Sequence, residues 1–300
     1  MNRLGALLIL LLAAFAVERS HAEARVYFQE LLNNGTIAIR SVNQEGGELR
    51  LHALLTSVNT TTASIPFAVV ERMIFAAWPS PHGDSLLVFS EQGKNKTLLK
   101  NLGRIRGLTA DETGRLWWLK CNPHQDQNDW CKSVEVWSVD PKASPPKPLK
   151  QDTLDELAFP IAFDVNSQGE LAVTGLNIHN ESVVIVGEYT YTQIANTAAG
   201  GIAIDEIGDV YFAFAFDELV LSFLRMAPSG NTDTLCNVYP YDGFPPSTIA
   251  VDTSSTSLFY HEGRGLYSFE YDPLPKVCGQ QIFLSAQGVV SSVTVAKWRS

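Results

Sequence analysis

Apolar and polar residues alternate along this chain in short runs broken by turns, and four of these stretches repeat one another. They are GLTADETGRLWWL (Gly107–Leu119), IAFDVNSQGELAVTG (Ile161–Gly175), GIAIDEIGDVYFAF (Gly201–Phe214) and TIAVDTSSTSLFYHE (Thr248–Glu262). Each is an apolar run, an Asp, a polar turn usually holding Gly, and a second apolar or aromatic run. That pattern predicts two antiparallel strands joined by a tight turn. The shared Asp falls at Asp111, Asp164, Asp205 and Asp252, spaced by 53, 41 and 47 residues. Asp at such a place is expected to accept backbone N–H bonds in the turn.

Two weaker copies complete the series. FAAW (Phe75–Trp78), the turn Pro79–Ser85 and LLVFSEQ give one, with Ser80 in place of Asp. Thr36–Leu55 gives the other, with Asn43 in that place. Six units of about 46 residues, each a hairpin that cannot bury its faces alone, predict an all-β, six-bladed β-propeller. The C-terminal run Ser291–Trp298 is a free strand that can complete the first or last blade and close the ring. No helical period is sustained; Gln151–Phe159 offers one turn at most. Trp117, Trp118 and Trp137 sit in alternating strands and read as packing between blades.

The N-terminus changes the expected compartment. Arg3 precedes thirteen apolar residues, Leu4–Ala16, and Ser20-His21-Ala22 forms a small-x-small cleavage signature. Residues 1–22 are expected to be a signal peptide, and residues 23–300 one secreted, extracellular domain. Four Asn-x-Ser/Thr sites, Asn34, Asn59, Asn95 and Asn180, fit glycosylation in that compartment. Four cysteines allow three pairings. Cys121 and Cys131 flank one polar loop and are expected to close it, which leaves Cys236 with Cys278. A zinc site using His124 and Asp126 competes, but the cysteine spacing favours disulfides. Formal charge is −10, and removing residues 1–22 leaves about −11. Without basic runs, nucleic acid and anionic membranes are not expected partners, and the domain is expected to be a monomer.

The unit of apolar run, Asp, Gly turn and aromatic strand resembles the six-bladed propeller superfamily. That group includes NHL and YWTD repeats, gluconolactonase-type enzymes and strictosidine-synthase-like proteins. Within it, Thr113–Pro141, with its Gly-Arg-Leu-Trp strand and Cys-containing loop, resembles the yellow/royal-jelly family. The size and export signal also look like the insect ommochrome-binding proteins, carriers of tryptophan-derived pigments.

The resemblance implies where chemistry would sit. Gluconolactonase-type enzymes hold a divalent cation with a Glu, two Asn and an Asp, the Asn residues standing just before inner strands. Here those positions read Arg106-Gly107, Phe159-Pro160, Gly200-Gly201 and Ser247-Thr248. No metal and no cofactor is therefore expected, and no serine-hydrolase elbow or phosphate loop appears. The loops of the functional face gather Arg106, Phe159, Phe244, Glu91, Lys120, Asn177, Phe214, Asp217, Tyr260 and His261. Of these, Arg106, Lys120, Phe214, Phe244, Tyr260 and His261 are the expected ligand-binding set. Aromatics with a few charges suit a planar small molecule. The chain therefore reads as a non-catalytic carrier or scavenger of a small aromatic or pigment-like ligand at the channel mouth, with a secreted propeller enzyme, a lactonase-like hydrolase or yellow-type isomerase, or an extracellular protein-interaction module as the alternatives.

Overall fold

The computed structural model describes residues 25–296 except 56–63, 91–94, 125–126, 188, 193–196, 217–219, 239–244, 272–277 and 285–287. Among the described residues every regular element is a strand, and the strands form six four-stranded sheets. Blade one holds β1 (Arg25–Leu32), β2 (Ile37–Asn43) and β3 (Arg50–Leu55). Blade two holds β4 (Phe67–Val70), β5 (Met73–Trp78), β6 (Ser85–Phe89) and β7 (Asn95–Leu99). Blade three holds β8 (Arg104–Ala110), β9 (Leu116–His124), β10 (Gln127–Val139) and β11 (Leu149–Leu154). Blade four holds β12 (Phe159–Val165), β13 (Leu171–Leu176), β14 (Ser182–Val186) and β15 (Tyr189–Thr192). Blade five holds β16 (Thr197–Ile204), β17 (Val210–Phe216), β18 (Val220–Met226) and β19 (Thr232–Val238). Blade six holds β20 (Ile249–Asp252), β21 (Ser257–Glu262), β22 (Gly265–Glu270) and β23 (Gln280–Leu284), and β24 (Gly288–Val295) follows.

Strand β24 does not extend blade six. It pairs antiparallel with β1, from Val26↔Val295 to Leu32↔Gly288, and becomes the inner strand of blade one. The inner strands then meet in the order β4, β8, β12, β16, β20, β24 and back to β4. The six sheets thus form a closed propeller around a central channel.

Strand alternation explains why the blades stack. Successive side chains on a strand point to opposite faces, so each blade serves two neighbours. Six buried clusters result, one for each seam between blades. Trp117, Leu119 and Val136 of blade three meet Phe163 and Val173 of blade four in one of them. Trp118, Leu116 and Val139 point the other way, onto Phe75 and Leu86 of blade two. Trp117, Trp118 and Trp137 pack within the sheets: Trp118 is 1% exposed and stacks on Trp137 with centroids 6.3 Å apart. Inner strands approach closely enough to need glycine at Gly201, where a Cβ would stand 2.5 Å from the Ile249 nitrogen of blade six.

The two weaker repeats are displaced from where their sequences suggested. FAAW belongs to the second strand of blade two and LLVF to the third. Its inner hairpin is Phe67–Trp78, turned by Glu71 at φ 55°. Thr36–Leu55 is the outer hairpin of blade one, because the inner strand of that blade arrives from the C-terminus.

Both disulfides join as the spacing suggested. Cys121–Cys131 links β9 to β10 within blade three, with Cα atoms 5.2 Å apart. Cys236–Cys278 ties β19 to the segment before β23, across the seam of blades five and six, at 5.4 Å. The second closes 42 residues against 10 for the first. In the chain-entropy account these loops are worth about 4 and about 3 kcal/mol. Replacing Cys236 and Cys278 by Ser should therefore lower the urea midpoint more than replacing Cys121 and Cys131. The reverse order would show that the seam is not what the longer bridge protects.

Candidate functional site

The inner hairpin turns define one face of the ring. At Asp111, one carboxylate oxygen accepts the N–H groups of Thr113 (2.8 Å) and Arg115 (3.1 Å), and the other accepts the Trp117 indole N–H at 2.9 Å. Asp205 does the same with Ile207 (3.1 Å), Asp209 (2.9 Å) and the Tyr211 hydroxyl (3.1 Å). In blade four the equivalent residue is Asn166, which accepts from Gln168 (3.1 Å) and Glu170 (3.0 Å). The repeat assigned to Asp164 is thus displaced by two residues. Asp164 lies inside β12, where it accepts from the Thr109 hydroxyl at 2.7 Å and the Ile204 N–H at 3.2 Å. It stitches the inner strands of blades three, four and five together.

The central cavity has a volume of about 230 Å³ and is walled by the inner strands. Its wall includes Arg106, Thr109, Ile161, Asp164, Ser247, Thr248 and Ser292. Realigning blade four on Asn166 puts Ile161, rather than Phe159, level with Arg106 and Ser247, and Ile161 is the one that reaches the cavity. Phe159 sits beside it instead, with its ring centroid 5.5 Å from the Arg106 guanidinium carbon. Asp84 stands near this arginine. Burial pushes its carboxyl up, while the Ile105 N–H at 2.7 Å and the charges of Arg104 and Arg106 pull it back. Hydrogen bonds seal the neighbouring seams. Gln29 holds the Ile65 backbone through both amide atoms, at 2.6 and 2.9 Å, and Thr248 accepts the Val293 N–H at 2.7 Å.

Blade six contributes a serine and a histidine. Ser247, just ahead of β20, lines the cavity; its hydroxyl has the Ser291 carbonyl as an acceptor at 3.3 Å, and its Oγ lies 3.4 Å from His261 Nε2 on β21. Burial pushes the His261 imidazole down to about 4, against a hydrogen bond to the Val290 backbone that favours the charged ring. The Val290 N–H is already given to Gly263 O at 2.9 Å, so the imidazole donates to the Val290 carbonyl. Donation from Nδ1 would leave Nε2 as an acceptor toward Ser247.

The other expected ligand contacts lie elsewhere. Phe214 is 0% exposed in the seam between blades four and five, and Tyr260 is 2% exposed among Phe223, Tyr267 and Phe269. The reason is the alternation above: on a second strand, side chains point between blades, not into the channel. Lys120 also lies in the sheet, bonded to Glu135 at 3.0 Å and 5.5 Å from the Trp137 ring centroid. Asn177 caps the turn between β13 and β14 of blade four by accepting from His179 (2.9 Å) and Glu181 (3.0 Å). Phe244, Glu91 and Asp217 lie outside the described residues. Of the described members of the expected set, only Arg106 lines the cavity, and His261 lies beside Ser247. Among the described residues no three His, Cys, Asp or Glu side chains group as metal ligands. Asn34 and Asn180 sit in exposed turns and Asn95 opens β7 exposed, while Asn59 lies outside the described residues.

No family model and no curated protein matches the chain. Solved structures do. A protein of unknown function from Bacteroides caccae superposes with a TM-score of 0.58 at 10% identity, covering 92% of this chain and 100% of its own. The PQQ-bound form of an aldose sugar dehydrogenase from Streptomyces coelicolor superposes with a TM-score of 0.54 at 10% identity, covering 92% and 95%. A gluconolactonase from Xanthomonas campestris gives 0.49 at 14% identity, covering 84% and 91%. At such identities the likeness establishes the six-bladed propeller fold. The yellow and ommochrome-binding likeness finds no counterpart among these.

These findings overturn the expected non-catalytic carrier of an aromatic ligand. Among the described residues the expected aromatic pocket does not form, because Phe214 and Tyr260 are buried between blades, and the aldose sugar dehydrogenase that shares the fold is an enzyme.

The buried imidazole gives a stability prediction. His261 is neutral in the fold down to about pH 4, whereas in the unfolded chain it takes up a proton near its usual value of 6.5. The folded state is then favoured in full above about pH 6.5 and progressively less as pH falls toward 4. Between pH 7 and 5, the wild type should lose more stability than His261→Gln, measured as the shift in urea midpoint. Equal losses would mean that His261 titrates alike in both states.

Proposed function

We propose that this protein is a hydrolase of small esters or lactones that works at the mouth of the propeller channel. Ser247 is the nucleophile and His261 its base. The observation that carries the reading is the 3.4 Å approach of the Ser247 hydroxyl to His261 Nε2 on the cavity wall. Such a contact is long for a hydrogen bond; the hydroxyl proton, which also has the Ser291 carbonyl at 3.3 Å, turns to Nε2 as the nucleophile–base contact tightens on substrate binding.

The chemistry follows the general serine–histidine scheme. Ser247 Oγ attacks the acyl carbon as its proton passes to Nε2. The alcohol leaves with that proton and an acyl-serine remains. Water, deprotonated by the same nitrogen, then releases the carboxylic acid and restores the hydroxyl. The Val290 carbonyl keeps the ring in the tautomer that the first step needs. A lactone is an ester closed on itself and follows the same path. Burial makes His261 a weaker base than one poised near neutrality, and it also keeps the ring in its accepting form at physiological pH.

Two consequences can be measured. Turnover of phenyl acetate should be level from about pH 5.5 upward and fall in acid as the ring is protonated. His261→Ala should lower kcat by roughly a hundred- to ten-thousandfold, and Ser247→Ala at least as much, with unchanged circular dichroism. Undiminished turnover in Ser247→Ala would remove the proposal.

The same reading takes residues 1–22 as an export signal and Asn34, Asn59, Asn95 and Asn180 as glycan sites. Two disulfides are compatible with an oxidising compartment. Expressed in cells with a secretory pathway, the protein should reach the medium beginning at Glu23 and lose mass on enzymatic deglycosylation. Retention in the cytosol with Met1 or Asn2 at its start would contradict this.

A further inference from the structure

Three of the four Asn-x-Ser/Thr sites fall on described residues, and the strand topology sorts them between the two faces of the ring. The inner strands start at the channel mouth and run toward the face of the inner hairpin turns. Ser247, just ahead of β20, marks the mouth end. Asn34 lies at that end too. It sits in the turn between β1 and β2, just past Leu32, which pairs with Gly288, the first residue of inner strand β24. Asn180 sits in the turn between β13 and β14, past Leu176, which pairs with Phe159, the first residue of inner strand β12. Asn95 is at the other face. Strand β6 starts at the mouth side with Ser85 beside Trp78 and ends at Phe89, which pairs with Asn95.

The two mouth sites oppose each other, because β24 and β12 stand three places apart in the ring of six. Each turn joins the second and third strands of its blade. It therefore lies one to two strand spacings, about 5–10 Å, outward from the inner strand. Both asparagines are exposed. Asn34 Oδ1 accepts the Thr36 N–H at 2.9 Å, so the turn engages the oxygen and not the amide nitrogen to which a glycan attaches. Asn180 sits within its turn at φ 62°, its N–H donated to Asn177 O at 3.0 Å. We infer that glycans on Asn34 and Asn180 flank the channel mouth from opposite blades, admitting small molecules and excluding macromolecules. This rests on the export reading for the presence of the glycans, and not on the chemistry of Ser247. A glycan is bulky and hydrated, and from anchors this close it sweeps the opening. A body large enough to cover the mouth must displace both chains. A molecule sized for a cavity of about 230 Å³ passes between them. For a hydrolase at this site, esters carried on proteins or polysaccharides are thereby barred.

The test places a thiol at the mouth. Secreted protein carrying Ser247→Cys is prepared with and without the pair Asn34→Gln and Asn180→Gln. Each form is treated with N-ethylmaleimide and with a maleimide linked to a globular carrier protein. The small reagent should label both forms at the same rate. The carrier-linked reagent should label the form lacking the two sites severalfold faster, and Asn95→Gln alone should bring no gain. Enzymatic deglycosylation of the folded protein should give the same gain without any substitution in the turns. Peptide mapping reads the occupancy of the two sites. Occupied sites with carrier labelling as fast as in the glycan-free protein overturn the inference and leave the export reading standing. Unmodified Asn34 and Asn180 in secreted protein overturn both the inference and the glycan assignment. Shielding by the glycans in a protein whose wild type does not turn over phenyl acetate supports the inference and removes the hydrolase.

Discussion

The ring depends on the pairing of β24 with β1. Every other blade is built from one continuous stretch of chain, but blade one takes its inner strand from the far end of the sequence. This pairing leaves no inner strand unpartnered and converts an open stack of sheets into a closed one. It also fixes the channel. Ser292 and Thr294 of β24 lie on the cavity wall, and Val293 donates to Thr248 of blade six. The Ser291 hydroxyl reaches Gln29 at 3.2 Å, and the same Gln29 holds Ile65 of blade two. One strand therefore closes the fold and joins the blades on either side of the closure.

The seams distribute the rest of the stability. Each is a buried cluster in which two blades share side chains, and the turns add polar clasps at the rim. Ser167 donates its backbone N–H and its hydroxyl to Glu206 of the next blade, and Lys142 of blade three reaches Glu71 of blade two at 2.6 Å. A cluster on blade three works within the sheet. Burial would raise the Glu135 carboxyl, but hydrogen bonds from Lys150, Trp137 and Lys120 outweigh it and hold it at about 2. Glu135 thus stays charged and bonded through the ordinary pH range. Lys120, which looked from the sequence like a ligand contact, is spent on that cluster.

What could be read in the chain follows from how local each constraint is. The inner hairpins were legible because their turn demands a side-chain acceptor at one place and a left-handed residue three later. Asp111 with Gly114 and Asp205 with Gly208 meet that demand, and the glycines have φ of 81° and 88°. Blade four offers two candidates, Asp164 and Asn166, and only the backbone bonds decide between them. Blade two turns on Glu71 and breaks the pattern, and blade one is split between the chain ends. The site was harder because it is not local. Phe214 and Tyr260 follow the same alternation as channel residues, and the difference lies in which strand of the blade they occupy. Ser247 was visible as one of the positions where the resemblance to gluconolactonase-type enzymes led to an expectation of asparagine. Its partner His261 is 14 residues away, brought near by the hairpin that pairs Ile249 with Tyr260.

The placement of the histidine carries a chemical consequence. In a serine–histidine–aspartate set, the buried carboxylate stabilises the imidazolium that forms as the nucleophile loses its proton. Here a backbone carbonyl, Val290 O, takes that place and brings a dipole rather than a charge. It can fix the tautomer but offsets only part of the cost of burying the charged ring, as the depressed value of about 4 records. A site of this kind needs help from elsewhere when charge develops. The closed ring sets what can supply it, because the inner strands of all six blades wall one cavity and hold its hydroxyls at fixed places around Ser247.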